Sequence, residues 1–153
     1  MSYSCADSKA PAEFSTINES MGKNIAVLGA GLVGKAIAID LSTKFDVTSI
    51  DINEDALKSL DGNKVGTIKA DLRDRKSLLR LVKSFDLVIG AVPGYMGFET
   101  VRTVIESGKN MVDISFFPED PFELDTLAQD NGVTVVTDCG VAPGMGNIIL
   151  GYH

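Results

Sequence analysis

Three glycines, Gly29, Gly31 and Gly34, stand in the run Gly29-Ala30-Gly31-Leu32-Val33-Gly34, directly after the apolar segment 24–28 and at the head of a helical pattern. In that setting each has a physical task. Gly29 takes the tight turn at the strand end, Gly31 has no Cβ and lets a pyrophosphate approach the backbone, and Gly34 allows the helix to pack closely on a sheet. The pyrophosphate would rest on the free N–H groups and positive dipole end of that helix. Asp51 lies 20 residues after Gly31, inside Ser49-Ile50-Asp51-Ile52. A carboxylate there can accept hydrogen bonds from both hydroxyls of an adenosine ribose and would repel a 2′-phosphate. No Arg or Lys follows until Lys58. The expected ligand is therefore a nicotinamide dinucleotide, NAD in preference to NADP, with Ile52 beside the ribose. Asp71, in Lys69-Ala70-Asp71-Leu72, can bond an adenine amino group or cap a following turn, and both readings stay open. Gly90-Ala91-Val92-Pro93-Gly94 combines small residues with a stiff turn, which suits a loop lining a ligand crevice; a plain Pro-Gly turn is the alternative.

Positioning such groups requires strand ends that converge on one edge. Short β-branched runs at 24–28, 47–50, 65–69, 87–91, 111–114 and 133–137 read as strands buried on both faces. Helical patterns fill 32–43, 54–60, 74–84, 98–107 and 121–130. The last is well punctuated: Asp120 can cap, Pro121 takes the first helical position, Glu123 completes a capping box and Gly132 follows the end. Strands alternating with helices in this way predict an α/β fold, a doubly wound Rossmann sheet of six parallel strands in the order 3-2-1-4-5-6.

Composition narrows the function classes. A chain of 153 residues suits one domain, and a hydrophobic fraction of 44% supplies its core. The net charge of −7 argues against a phosphate backbone as partner, so no nucleic acid is expected. No apolar run approaches the roughly 20 residues of a membrane span, so no membrane partner is expected either. Two cysteines, Cys5 and Cys139, make no disulfide framework, and a cytoplasmic location follows most simply. Residues 1–20 read as a loose tail, and Met21 opens the first strand pattern. The histidine is His153, so no Ser-His-Asp or Cys-His pair can be drawn, and no Cys/His cluster has metal spacing. Cys139 reads as a small loop residue, and the pair Phe116-Phe117 as core packing or an interdomain contact. Hydride transfer needs no covalent protein group, so an oxidoreductase remains open.

Three stretches together resemble the saccharopine dehydrogenase family, in particular its lysine 6-dehydrogenase and saccharopine reductase branches: VLGAGLVGKAIAIDL, AVPGYMGFETVRTVIESGKNMVDISFFPEDPFELD and GVTVVTDCGVAPGMGNIILGY. The glycine loop is common to many families, whereas VDISF and DCGVAPGMGN are more specific. The resemblance covers residues 22–153. It implies an NAD(P)-dependent oxidoreductase that acts on a C–N bond of an amino acid through an imine. It further implies that Gly29, Gly31, Leu32, Val33 and Gly34 hold the pyrophosphate and Asp51 the ribose. By the same resemblance Asp71 and Leu72 flank the adenine, Ala91, Val92 and Pro93 run along the nicotinamide ribose, and Asp113, Ser115 and the loop 139–143 line the nicotinamide and substrate end. Members of the family continue into a substrate domain that also mediates dimerisation. The expected organisation is a tail (1–20), a dinucleotide-binding domain (21–142) and the start of an exit helix (143–153) with an exposed apolar side. The substrate domain is absent, so this is a cofactor-binding half inactive by itself, its amino-acid substrate is met through the missing domain, and a homo-oligomer is left open. The competing reading is a nucleotide-sensing regulatory module of the potassium-transporter type, without catalysis, which Asp71 and Arg73-Asp74 would also suit.

Overall fold

The structure, a computed structural model, describes residues 23–152; the tail expected over 1–20, with Cys5, and His153 lie outside the described residues. In chain order the elements are β1 (Asn24–Leu28), α1 (Leu32–Leu41), β2 (Asp46–Asp51), α2 (Glu54–Lys58), β3 (Val65–Lys69), α3 (Arg75–Leu81), β4 (Leu87–Gly90), α4 (Gly94–Glu106), β5 (Asn110–Asp113), α5 (Asp125–Asp130), β6 (Val135–Val136) and α6 (Met145–Tyr152). A short 3₁₀ turn extends α3 over Val82–Ser84, and another, Pro121–Leu124, leads into α5. All six strands pair in parallel in the order β3-β2-β1-β4-β5-β6, the doubly wound Rossmann arrangement expected from the sequence.

The strand period of two sorts the core into two layers. Ala26 and Leu28 of β1 face one way with Ile50, Val88 and Met111, and pack under α3 and α4 through Leu78, Val101, Val104 and Ile105. Ile25 and Val27 face the other way with Val47 and Ile89, against Ala38 of α1 and Leu57 of α2. A central strand covered on both faces must be apolar throughout, and β1 is buried from Ile25 to Leu28.

Helix starts are set by carboxylates and amides. The Asn53 side chain accepts from the N–H groups of Asp55 and Ala56, Asp74 accepts from Lys76 and Ser77, and Asp120 accepts from Phe122 at 2.9 Å. Asp74, expected inside the third helix, is thus its cap. The fourth helix starts at Gly94 rather than 98, so the Pro-Gly pair opens a helix instead of forming a separate turn. Pro93 is its N-cap residue with φ −58°, and Gly94 is admitted because a Cβ there would strike the Phe116 carbonyl oxygen. The sixth strand, expected over 133–137, pairs only at Val135 and Val136, opposite Met111 and Val112. The aromatic pair divides its work: Phe117 meets Phe98 edge to face at 5.8 Å, whereas Phe116 is exposed. The last helix runs over Met145–Tyr152 after Gly144, with Met145, Ile148, Ile149 and Leu150 exposed.

The glycines of the first turn differ in what surrounds them. A Cβ on Gly34 would run into the Gly29 carbonyl oxygen and approach the Ala91 Cβ to 3.2 Å, while a Cβ on Gly31 would meet nothing within 4 Å. Gly34→Ala is therefore expected to lower stability by about 1–3 kcal/mol through overpacking. Gly31→Ala should stay within about 0.5 kcal/mol of the parent. Urea unfolding of both variants checks this; equal losses would mean that helix–strand contact does not constrain Gly34.

Candidate functional site

Where β1 ends, the chain must reverse into α1 without leaving the sheet. Gly29 does this at φ 104°, and its N–H donates to the Ile50 carbonyl at 2.8 Å, which anchors the turn to β2. Asp51 completes the anchor. Its Oδ2 accepts the Ala30 N–H at 2.7 Å and its Oδ1 the Asn53 N–H at 2.8 Å. Gly31 is then the N-cap of α1 with no side-chain cap of its own. The N–H groups of the first helical turn have no intrahelical partner, and they open on the space above Gly31. Leu32 and Val33, exposed at 93% and 57%, flank that opening. An anionic group fits here: backbone donors point out, no Cβ intrudes and the helix dipole is favourable.

A cavity of about 270 Å³ lies beside this turn, lined by Gly29, Asp51, Ile52, Asp71, Leu72, Arg73, Pro93, Tyr95 and Met96. It unites six residues expected from the sequence (Gly29, Asp51, Ile52, Asp71, Leu72 and Pro93) with three that sequence reasoning missed. Arg73, which the sequence offers only to the transporter-module reading, lies far along the chain from the segment that follows Asp51. Tyr95 and Met96 fall between the Gly90–Gly94 loop and the helix expected from 98, but as first-turn residues of α4 they line the cavity. Asp71 accepts the Arg73 N–H at 3.0 Å and grips the Arg73 guanidinium at both oxygens, Nε at 2.9 Å and Nη2 at 2.8 Å. That side-chain pairing, helped by the backbone bond, holds the Asp71 carboxyl down at about 2. Asp71 thus closes its own turn, the second of the two roles open to it. A larger groove of about 400 Å³ lies between α4, α5 and β6, but it contains none of the glycine-turn residues and is mostly apolar. The convergence of backbone donors, carboxylates and a guanidinium marks the strand-end cavity as the site.

Farther along the strand ends, Ala91 donates its N–H to the Leu28 carbonyl at 2.9 Å and lies against the glycine turn. Val92 points into the core. Asp113 and Ser115 are both buried, at 0% and 5% exposure. The Asp113 Oδ2 accepts from both the N–H and the hydroxyl of Ser115, while its Oδ1, seated over Gly90, has no partner among the described residues. Burial pushes this carboxyl up to about 6 against the Ser115 hydrogen bonds, and the Asp138 carboxylate adds to the rise. Cys139, half-buried, ties the β6 end to β5 through its N–H on the Asp113 carbonyl at 3.1 Å. The structure therefore groups these residues into an open cavity at the ends of β2 and β3 and a closed Asp113–Ser115 pair.

Comparison with known proteins bears on both fold and ligand. The family model described as "Saccharopine dehydrogenase NADP binding domain" matches residues 25–136. Saccharopine dehydrogenase [NADP(+), L-glutamate-forming] of Pyricularia oryzae is 29% identical over 130 residues, covering 82% of this chain and 29% of that protein. The mitochondrial alpha-aminoadipic semialdehyde synthase of Rattus norvegicus is 29% identical over 141 residues, 87% of this chain and 15% of the synthase. A solved structure of apo saccharopine dehydrogenase (L-Glu forming) from Saccharomyces cerevisiae superposes with a TM-score of 0.75 at 24% identity, over 84% of this chain and 30% of that one. The chain thus spans less than a third of the length of these relatives. None of these matches supports the transporter-module alternative. The expectation of NAD is corrected by them, since the family is of the NADP-binding type and the fungal relative carries NADP(+) in its name. The premise of a free, unopposed carboxylate is not met in the structure: both Asp51 oxygens accept backbone N–H groups, and the Arg73 guanidinium lines the same cavity.

The Asp113 carboxyl gives the buried end of the strands a pH signature. Its native pKa of about 6 exceeds the ordinary 3.8, so the folded chain holds this proton more tightly than the unfolded one. The resulting stability is full below pH 3.8 and is lost as pH rises through about 6, a change on the order of 2–3 kcal/mol. Urea midpoints measured from pH 4.5 to 8 should fall accordingly, and Asp113→Asn, neutral throughout, should flatten the decline. An unchanged slope in the variant would assign it to other groups.

Proposed function

Because the chain belongs to the saccharopine dehydrogenase NADP-binding domain family, we propose that it is the cofactor-binding part of an NADP-dependent oxidoreductase acting on a C–N bond of an amino acid. The carrying observation is the glycine turn, held by Asp51 so that the bare α1 terminus opens over Gly31. In this reading Gly29, Gly31, Leu32, Val33 and Gly34 cradle the pyrophosphate with main-chain donors. Asp51 positions that cradle, and Ile52, Asp71 and Leu72 border the adenosine. Ala91 and Pro93 guide the chain past the nicotinamide ribose, and Asp113 with Ser115 supports the loop at the nicotinamide end. The nicotinamide, when bound, supplies the hydride chemistry, and the protein's own work is to orient it and keep its approach dry.

Residues 21–142 form the dinucleotide-binding domain in this proposal, and 143–153 lead toward a substrate domain. The apolar, exposed side of α6 supports that role, because four large apolar residues on one short helix need a covering surface. An amino-acid substrate handled by a separate domain agrees with the names of the relatives, saccharopine dehydrogenase and alpha-aminoadipic semialdehyde synthase. Among the described residues no helix is long and apolar enough to cross a membrane. A cytoplasmic setting completes the reading, supported by two cysteines in 153 residues.

Titration with NADPH, followed by nicotinamide fluorescence, tests the proposal directly; the chain has no Trp to contribute background. Saturable binding is expected. Gly31→Ala, whose added Cβ stands where the pyrophosphate would lie, should weaken it by about tenfold or more, or about 1.4 kcal/mol. A folded parent that binds no nicotinamide nucleotide would sink the reading.

A further inference from the structure

An NADP site needs a cation for the 2′-phosphate, yet the segment after β2, Asp51-Ile52-Asn53-Glu54-Asp55, offers carboxylates instead. The adenosine ribose of a doubly wound site lies at the end of β2, so the cation must reach that point from elsewhere. Of the described residues that line the strand-end cavity with Asp51, only Arg73 is cationic. It projects from the turn after β3, the strand that pairs with β2 through Asp51 and Lys69. Its side chain is 67% exposed. The bidentate grip of Asp71 engages Nε and Nη2, which leaves the Nη1 edge for another anion.

Resting on the reading above, we propose that Arg73 is the residue that distinguishes NADP from NAD, its guanidinium receiving the 2′-phosphate while Asp71 holds it in place. Two features make an otherwise acidic cavity able to accept that charge. Asp51 has both oxygens engaged by main-chain N–H groups, so it acts as a brace rather than a free anion. Asp71 is neutralised pairwise by Arg73 itself, and it orients the planar fork instead of leaving it to wander. Lys69 is the other cation on this edge, but it is paired with Glu54 and does not line the cavity. Tyr95, in the first turn of α4, lines the same cavity. Leu72, Arg73, Tyr95 and Met96 also wall a neighbouring groove of about 370 Å³ along α3 and α4, so the guanidinium stands on a ridge open on two sides.

The test measures the affinity of the 153-residue chain for NADPH and for NADH in the parent, Arg73→Met, Arg73→Lys and Lys69→Met. Arg73→Met should weaken NADPH by about 10- to 100-fold, the range for losing charge-assisted hydrogen bonds, and leave NADH within about threefold. Arg73→Lys should recover part of the loss by charge alone, and the NADPH advantage should shrink with added salt because the site is exposed. Lys69→Met should bind both nucleotides as the parent does. Equal weakening of NADPH and NADH in Arg73→Met, or no change in either, overturns the proposal and leaves the dinucleotide reading standing. Selective loss of NADPH in Lys69→Met also overturns it and moves the phosphate to the β3 edge. A folded parent that binds neither nucleotide removes the dinucleotide reading and this assignment with it.

Discussion

The carboxylate of Asp51 holds the candidate site together. Two hydrogen bonds, to Ala30 and Asn53, bind the turn after β1 to the turn after β2. With them, Gly29 is pressed against the Ala91 carbonyl and Gly34 against the Gly29 carbonyl, at separations that no side chain permits. Preorganisation follows from this arrangement: the donors of α1 point outward before any ligand arrives, so little ordering entropy remains to be lost on binding. A residue type that suits ribose recognition is, in this chain, the structural latch of the anion cradle.

The same sheet edge carries further carboxylates, and each is handled by a different physical means. Asp71 is neutralised by a guanidinium in solvent, where pairing and hydrogen bonding hold it ionised. Asp113 lies in the interior, where desolvation outweighs two hydrogen bonds from Ser115 and favours its protonated form. Asp138, at a positive φ of 57°, adds repulsion from the β6 side. An overall charge of −7 therefore says little about whether an anionic ligand can bind. What counts is which lone pairs remain uncommitted at the point of contact.

Most of the fold was legible because the central strands β1 and β4 are nearly continuous apolar runs, as strands buried on both faces must be, and turn residues bound the others. The strand order and all six strands were recovered on that basis, as was the glycine turn with Asp51 beyond β2. Two boundaries were not. Pro93-Gly94 reads locally as a turn, yet the tertiary contact with the Phe116 carbonyl makes Gly94 the first residue of α4. β6 pairs with β5 only at Val135 and Val136, a register that the β-branched run 133–137 does not encode. Arg73 is distant in sequence from the β2 end, and the turn that follows β3 comes beside Asp51 only once β3 pairs in parallel with β2.

Cofactor preference shows where reading from residue types stops being enough. An acidic residue after β2 predicts a free carboxylate facing a ribose diol, and the absence of a nearby cation predicts exclusion of a 2′-phosphate. Both inferences treat the side chain as an unengaged charge. In the folded chain Asp51 accepts two main-chain hydrogen bonds, and those donors offset part of the field it would otherwise present to a ligand. Arg73, in the turn after β3, lines the same cavity. The field at the cavity is set by these engaged groups together, not by residue identity at one position. Asp51 and Arg73 are complementary parts of one cavity: Asp51 fixes the glycine turn through its two backbone bonds, and Arg73 brings a guanidinium to the same space.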